Sequence, residues 1–180
     1  MKEIICIGTI HLNWTPENEL VDVLNELKPD HVFVELSPEE LQGQREESIR
    51  DEMFFAYDWA IKNRIPVTVF DVEQSGLKEG VTGKEPEFMD HELKSKELLK
   101  NYSWKDLNKI EPWQISEVAA LEKEIVEKYF DKEKSKQREF QMMKNIKRRL
   151  VDGRNVVVTG AGHLTFFKEQ FPEAKLPLRN

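Results

Sequence analysis

Four short runs stand out from a polar background: Ile4-Ile5-Cys6-Ile7, Val32-Phe33-Val34, Val67-Thr68-Val69-Phe70 and Val156-Val157-Val158. Each is continuous rather than alternating and rich in β-branched residues, the pattern of a strand buried on both faces. Between them, segments of helical type cover residues 17–27, 38–63 and 135–151, with a long charged middle of the same kind. Strands alternating with helices predict an α/β fold with a mainly parallel central sheet flanked by helices.

Boundary residues agree with this order. Ser37-Pro38-Glu39-Glu40 places a Ser cap, a Pro at the first helical position and a Glu three residues after the cap, a capping box. Thr15-Pro16 offers the same cap and proline before the helix at 17–27. Lys28-Pro29-Asp30 and Asp152-Gly153 read as stops that lead directly into strands. Residues 76–86, with Gly76, Gly80 and Gly83, read as a loop. Beyond it a helical insertion is expected at about residues 84–134, carrying the stripe Val118, Leu121, Ile125 and Tyr129. It reads as a packed cover on the sheet edge or as a mobile arm.

Composition narrows the class. A chain of 180 residues, 39% of them hydrophobic, is expected to build one domain around one core. Its formal net charge of -7 disfavours nucleic-acid and anionic-membrane partners and is compatible with a cation. Association with a second copy stays open. Cys6 is the only cysteine, which excludes a disulfide framework and a multi-cysteine zinc site. With neither a leader-like segment nor a long apolar stretch, a cytoplasmic location is expected.

Chemistry collects at the strand ends. In a parallel sheet the carboxyl ends share one edge, where ligands bind. That edge would gather Gly8 and His11 from the first strand, Glu35 from the second, Asp71 from the third, and Gly160, Gly162 and His163 from the fourth. Gly8-Thr9-Ile10-His11 and Gly160-Ala161-Gly162-His163 repeat one pattern: glycine permits positive φ, a sharp turn or a close backbone approach before the histidine. Glu35 closes an apolar strand and needs a cation, a metal or a proton, unless it only caps the next helix. Asp71 is also readable as an ordinary turn aspartate. On the 135–151 helix, Glu139 shares a face with Met142, Met143, Ile146 and Leu150, so either the apolar stripe stops there or Arg138 or Glu139 enters the site. Cys6 reads as a core thiol, and His31 and His91 as surface residues. Gly160-Ala161-Gly162 could alternatively cradle a phosphate on its N–H groups.

The order Gly8-Thr9-Ile10-His11-Leu12, residues 29–36 ending in Glu35-Leu36, Arg138-Glu139-Phe140-Gln141-Met142, and residues 156–164 with Gly160-Ala161-Gly162-His163-Leu164 resembles the TraB/PrgY/GumN family. Its superfamily includes TIKI proteases, erythromycin esterases and ChaN-like haem-binding lipoproteins. The resemblance covers roughly residues 3–45, 64–72 and 136–168. It implies one site with His11, Glu35 and His163 at its centre and Arg138 and Glu139 supplied by a helix; TIKI members are described as metal-dependent peptidases. The chain departs from the family pattern at Asn13, at Glu39 and Glu40, and at Val72, which removes positive charge from the expected site.

Together these readings predict a hydrolase acting on a peptide or ester bond of a peptide or small molecule. His11, Glu35, Arg138, Glu139 and His163 are the catalytic candidates. In a metal-dependent form His11, Glu35 and His163 would hold manganese, cobalt, zinc or iron, with Gly8, Asp71, Gly160 and Gly162 as further cofactor-binding positions. In a metal-free form a histidine would activate water. The alternative is a non-catalytic module that binds a ligand, metal or haem through the same residues.

Overall fold

A computed structural model describes residues 1–10, 14–43, 52–72, 76–82, 84–109 and 114–179. The elements run β1 (Lys2–Thr9), α1 (Glu17–Leu27), β2 (His31–Val34), α2 (Pro38–Gly43), α3 (Glu52–Lys62), β3 (Val67–Val69), α4 (Pro86–Leu99), α5 (Trp104–Lys109), α6 (Ser116–Tyr129), α7 (Lys132–Lys147), β4 (Gly153–Gly160) and α8 (Leu164–Gln170). The fold is α/β, with four strands in the order β1-β4-β2-β3, all parallel.

Strand alternation divides the core into two layers. Ile5, Ile7, Val32, Val34, Val156 and Val158 face α1 and α3. Ile4, Cys6, Phe33 and Val157 face Met142, Met143 and Ile146 of α7 and Leu164 and Phe167 of α8. Both faces are covered, which is why the strands read as continuous apolar runs. Among the described residues no helix is long and apolar enough to cross a membrane.

The Ser37 capping box forms as expected: Ser37 N–H donates to Glu40 Oε2 at 2.8 Å and Glu40 N–H to Ser37 Oγ at 3.1 Å. Of the helix expected at 38–63, α2 and α3 are its two ends, and residues 44–51 lie outside the described residues. Lys28 ends α1 in the left-handed conformation at φ 48°.

Other boundaries differ from the sequence reading. Thr15 does not cap α1, because its hydroxyl accepts from Ile10 N–H at 3.0 Å and holds the turn after β1 instead. Helix α7 starts at Lys132, not 135, since Asp131 accepts from the N–H groups of Glu133 and Lys134. It stops at Lys147, so Asp152-Gly153 is not its cap. Gly153 opens β4 at φ 105°, and a Cβ there would run into the Asp30 carboxylate, which accepts from Arg154 N–H at 2.7 Å.

The insertion is a packed cover. Helices α4 and α6 pack together, with Val118, Ile125 and Tyr129 buried and Leu121 half-buried. Helix α5 lies at the carboxyl end of β1, where Leu107 joins Leu99, Val118 and the partly buried Ile10 and Trp14 in a third apolar cluster. Trp104 reaches the main core, and its Nε1–H donates to Glu19 at 3.0 Å.

Candidate functional site

Parallel strands bring Glu35, Asp71 and the turn after Gly160 to one edge, and α7 crosses that edge carrying Arg138 and Glu139. Asn145, two turns further along α7, donates to Phe70 O at 3.0 Å and ties the helix to the end of β3.

Glu35 is the centre, only 8% exposed. Its Oε2 accepts from Thr159 Oγ1–H and from Gly160 N–H, the latter at 2.8 Å. Its Oε1 lies 3.3 Å from both Arg138 Nη2 and His163 Nε2. Arg138 grips Asp71 in a bidentate pair, Nε to Oδ1 at 2.9 Å and Nη2 to Oδ2 at 2.5 Å. Asp71 is thus a partner in the site rather than only a turn residue, although it also accepts from Val72 N–H at 2.7 Å. On the far side of the imidazole, His163 Nδ1 lies 3.3 Å from Glu139 Oε1 but has no aligned hydrogen bond.

These contacts set the charges. Burial alone would raise the Glu35 pKa, yet the charge and hydrogen bond of His163 and the bonds from Thr159 and Gly160 hold it down at about 2. Burial likewise disfavours the His163 imidazolium, but Glu35 and Glu139 outweigh it and lift the pKa to about 10. At neutral pH the site therefore carries an imidazolium and a guanidinium on one buried carboxylate, flanked by Asp71 and Glu139.

The glycines work by close approach rather than by positive φ. Gly160 sits at φ −58°, and among the described residues only Gly76, Gly80 and Gly153 are positive-φ glycines. A Cβ on Gly8 would meet Leu164 Cδ1 at 2.6 Å and the Ala161 backbone at 2.9 Å. Gly162 is exposed and open, so nothing around it requires glycine. The phosphate-cradle reading loses its first donor, because the Gly160 N–H is committed to Glu35.

Of the residues expected in the site, Glu35, Asp71, Arg138, Glu139, Gly160 and His163 come together. His11 and Asn13 lie outside the described residues. The tips of β1 and β4, which lead into the two Gly-x-x-His motifs, are adjacent: Gly8 pairs with Thr159 and Thr9 with Gly160.

As a metal centre the described donors fit poorly. Oε2 of Glu35 is occupied by two donors, and Oε1 lies 3.3 Å from both Arg138 Nη2 and His163 Nε2. Among the described residues no group of three or more His, Cys, Asp and Glu side chains is placed to hold a metal ion.

Four polar residues near the site were not singled out from sequence: Thr9, Glu52, Asn108 and Thr159 are all buried. Thr9 Oγ1–H lies 3.3 Å from both Glu52 Oε1 and Thr159 O. Asn108 Oδ1 accepts from Gly8 N–H at 2.8 Å, and its Nδ2 donates to Gly8 O and to Trp104 O. A threonine closing an apolar strand beside a conspicuous glycine was the available signal for Thr159.

Outside the site two histidines differ from expectation. His31 is buried at the start of β2, its Nε2 2.9 Å from Thr68 Oγ1, and burial together with Arg149 lowers its pKa. His91 is mostly covered and lies 3.2 Å from Glu122, because α6 packs over α4. Cys6 is a core thiol, its pKa pushed up to about 12 by burial.

Fold and site define a parallel α/β protein with a buried charge network at the carboxyl edge of its sheet. No protein-family model, curated protein or solved structure matches the chain.

Proposed function

We propose that the protein is a hydrolase that cleaves a peptide or ester bond without a metal ion, using Glu139 as base and Arg138 with His163 as the cationic pair. The observation that carries this reading is the buried carboxylate of Glu35 bridging two cations where a parallel sheet presents its strand ends. Buried charge of this kind is costly to assemble, and strongly perturbed groups concentrate at functional sites. The motif order, which resembles the TraB/PrgY/GumN family, supports the hydrolase part of this reading, while the TIKI members of that superfamily are described as metal-dependent.

The division of roles follows from what each group has left to offer. Asp71 has both oxygens on Arg138, and Glu35 has both on its four donors. Glu139, with its side chain 31% exposed, is the carboxylate open to solvent. It takes a proton from water as the oxygen attacks the carbonyl carbon. Both His163 nitrogens lie beside carboxylates, Nε2 at Glu35 and Nδ1 at Glu139, so the imidazolium and the Arg138 guanidinium stabilise the oxyanion through their charge. As the carbonyl re-forms, the C–O or C–N bond breaks and the leaving group collects the proton held by Glu139. His11 enters this scheme only from the sequence, as a second imidazole after the adjacent strand.

The test is turnover of p-nitrophenyl esters and fluorogenic peptides by protein purified without an affinity tag, in chelator and after adding manganese, cobalt or zinc. Activity should persist in chelator and fall by about 100-fold or more in Glu139→Gln and His163→Gln. Activity that appears only with added metal would replace the metal-free route by the metal-dependent one. Ligand retention without turnover would favour a binding module.

A further inference from the structure

The geometry points to Asn108 as a positioning residue: from the helical insertion it clamps the tip of β1 against the turn that carries His163. This rests on reading the Glu35–His163 cluster as the functional site.

Strand β1 is an edge strand, and edge strands leave alternate backbone groups without a partner. Midway along β1 those groups are met by backbone, since Cys6 N–H donates to Lys175 O and Lys175 N–H to Ile4 O, both at 2.9 Å. At Gly8 the partner is a side chain. The carboxamide of Asn108 accepts from Gly8 N–H and donates to Gly8 O, offering β1 the same donor and acceptor that a neighbouring strand would. Asn108 is 2% exposed, and its second amide proton goes to Trp104 O in its own helix, so the amide's orientation is fixed from both sides.

What Gly8 then holds is the site. Ala161 and Leu164, on either side of His163, pack so closely on Gly8 that no Cβ fits between them, and Asn108 Oδ1 lies 3.0 Å from the same point. Gly8 pairs with Thr159, whose hydroxyl donates to Glu35. Asn108 therefore acts on His163 and Glu35 through one backbone unit. In this account the insertion is a structural part of the site, not an appendage to it.

The experiment compares Asn108→Ala and Asn108→Asp with Leu107→Ala, which loosens the same helix but leaves the clamp. In full-length protein, two-dimensional NMR follows the backbone amides of residues 160–163 and the His163 ring, with the His31 ring at the opposite end of the sheet as an internal control. Both Asn108 variants should shift or broaden the 160–163 amides and the His163 ring while His31 stays unchanged, and Leu107→Ala should lower the melting temperature without that local signature. With a hydrolysable ester as probe, kcat should drop by about tenfold or more in the Asn108 variants with KM little changed. Unmoved His163 signals in a folded Asn108 variant would overturn the assignment, as would the same shifts in Leu107→Ala. Failure of both Asn108 variants to fold while Leu107→Ala folds would also overturn it, reducing Asn108 to a stability residue. If the NMR signature appears but the wild type hydrolyses nothing, the positioning role stands and the hydrolase reading fails.

Discussion

Replacing Arg138 by Met removes the guanidinium while keeping much of its apolar stem, and the cost can be worked out from what each carboxylate retains. Glu35 keeps Thr159, Gly160 and His163. Asp71 keeps only Val72 N–H among its described partners and is 8% exposed. The variant therefore strands one buried carboxylate rather than two. Removing one partner of a fully buried ion pair costs about 3–5 kcal/mol. The Arg138 side chain is 24% exposed, so water reaches the vacated position and the figure drops to about 2–3 kcal/mol. For a domain of this size that corresponds to a melting temperature lower by roughly 5–10 °C. Urea and thermal unfolding at neutral pH measure it. The double variant Arg138→Met/Asp71→Asn removes the stranded charge and should recover about 1–2 kcal/mol of the loss. A single variant as stable as wild type, or a double variant that shows the plain sum of two losses, would refute this account of the network.

Other outcomes follow from the same structure. Because the His163 pKa is raised from 6.5 to about 10, its stabilisation is complete below about pH 6.5 and disappears as pH climbs to about 10; the gap in melting temperature between wild type and His163→Gln should narrow over that range. Glu35 has the opposite sign: its contribution is present above about pH 4.5 and is lost towards pH 2, so Glu35→Gln should flatten the acid limb of the stability profile. Gly8→Ala forces a methyl to within 2.6 Å of Leu164 Cδ1 and 2.9 Å of Ala161 backbone, and should cost about 1–3 kcal/mol by urea unfolding. Gly153→Ala combines φ 105° with the Asp30 carboxylate and should destabilise by a similar amount, about 1–3 kcal/mol by the same measurement.

The sheet and most of the site were legible because they depend on direction rather than contact. A parallel sheet puts every strand's carboxyl end on one edge, so Glu35, Asp71 and His163 could be grouped from strand order alone. Arg138 and Glu139 were legible as charges out of place beside an apolar stripe. Asn108 was not: a polar residue on a short helix looks like any solvated position, and its partner Gly8 is 100 residues away. Glu52 and Thr9 share that difficulty, lying 43 residues apart. His31 was misread because it follows Asp30 at a turn, where exposure is the rule; Thr68 from the neighbouring strand covers it. Thr15 was misread because a hydroxyl before Pro16 has two backbone partners within reach, and only the turn after β1 decided between them.

The strand order also governs when this site can exist during synthesis. Strand β1 precedes the other three in the chain, and among the described residues β4 is its only strand neighbour, paired from Lys2↔Gly153 to Thr9↔Gly160. A nascent chain can pair β2 with β3 early, but β1 waits with its Ile4–Ile7 run unpaired until residues 153–160 have left the ribosome. The same late strand brings Thr159, Gly160 and, just behind it, His163, so the charge network closes in the step that completes the sheet. Until then Glu35 lacks the His163 imidazolium, and any activity belonging to the site is confined to chains with β4 in place.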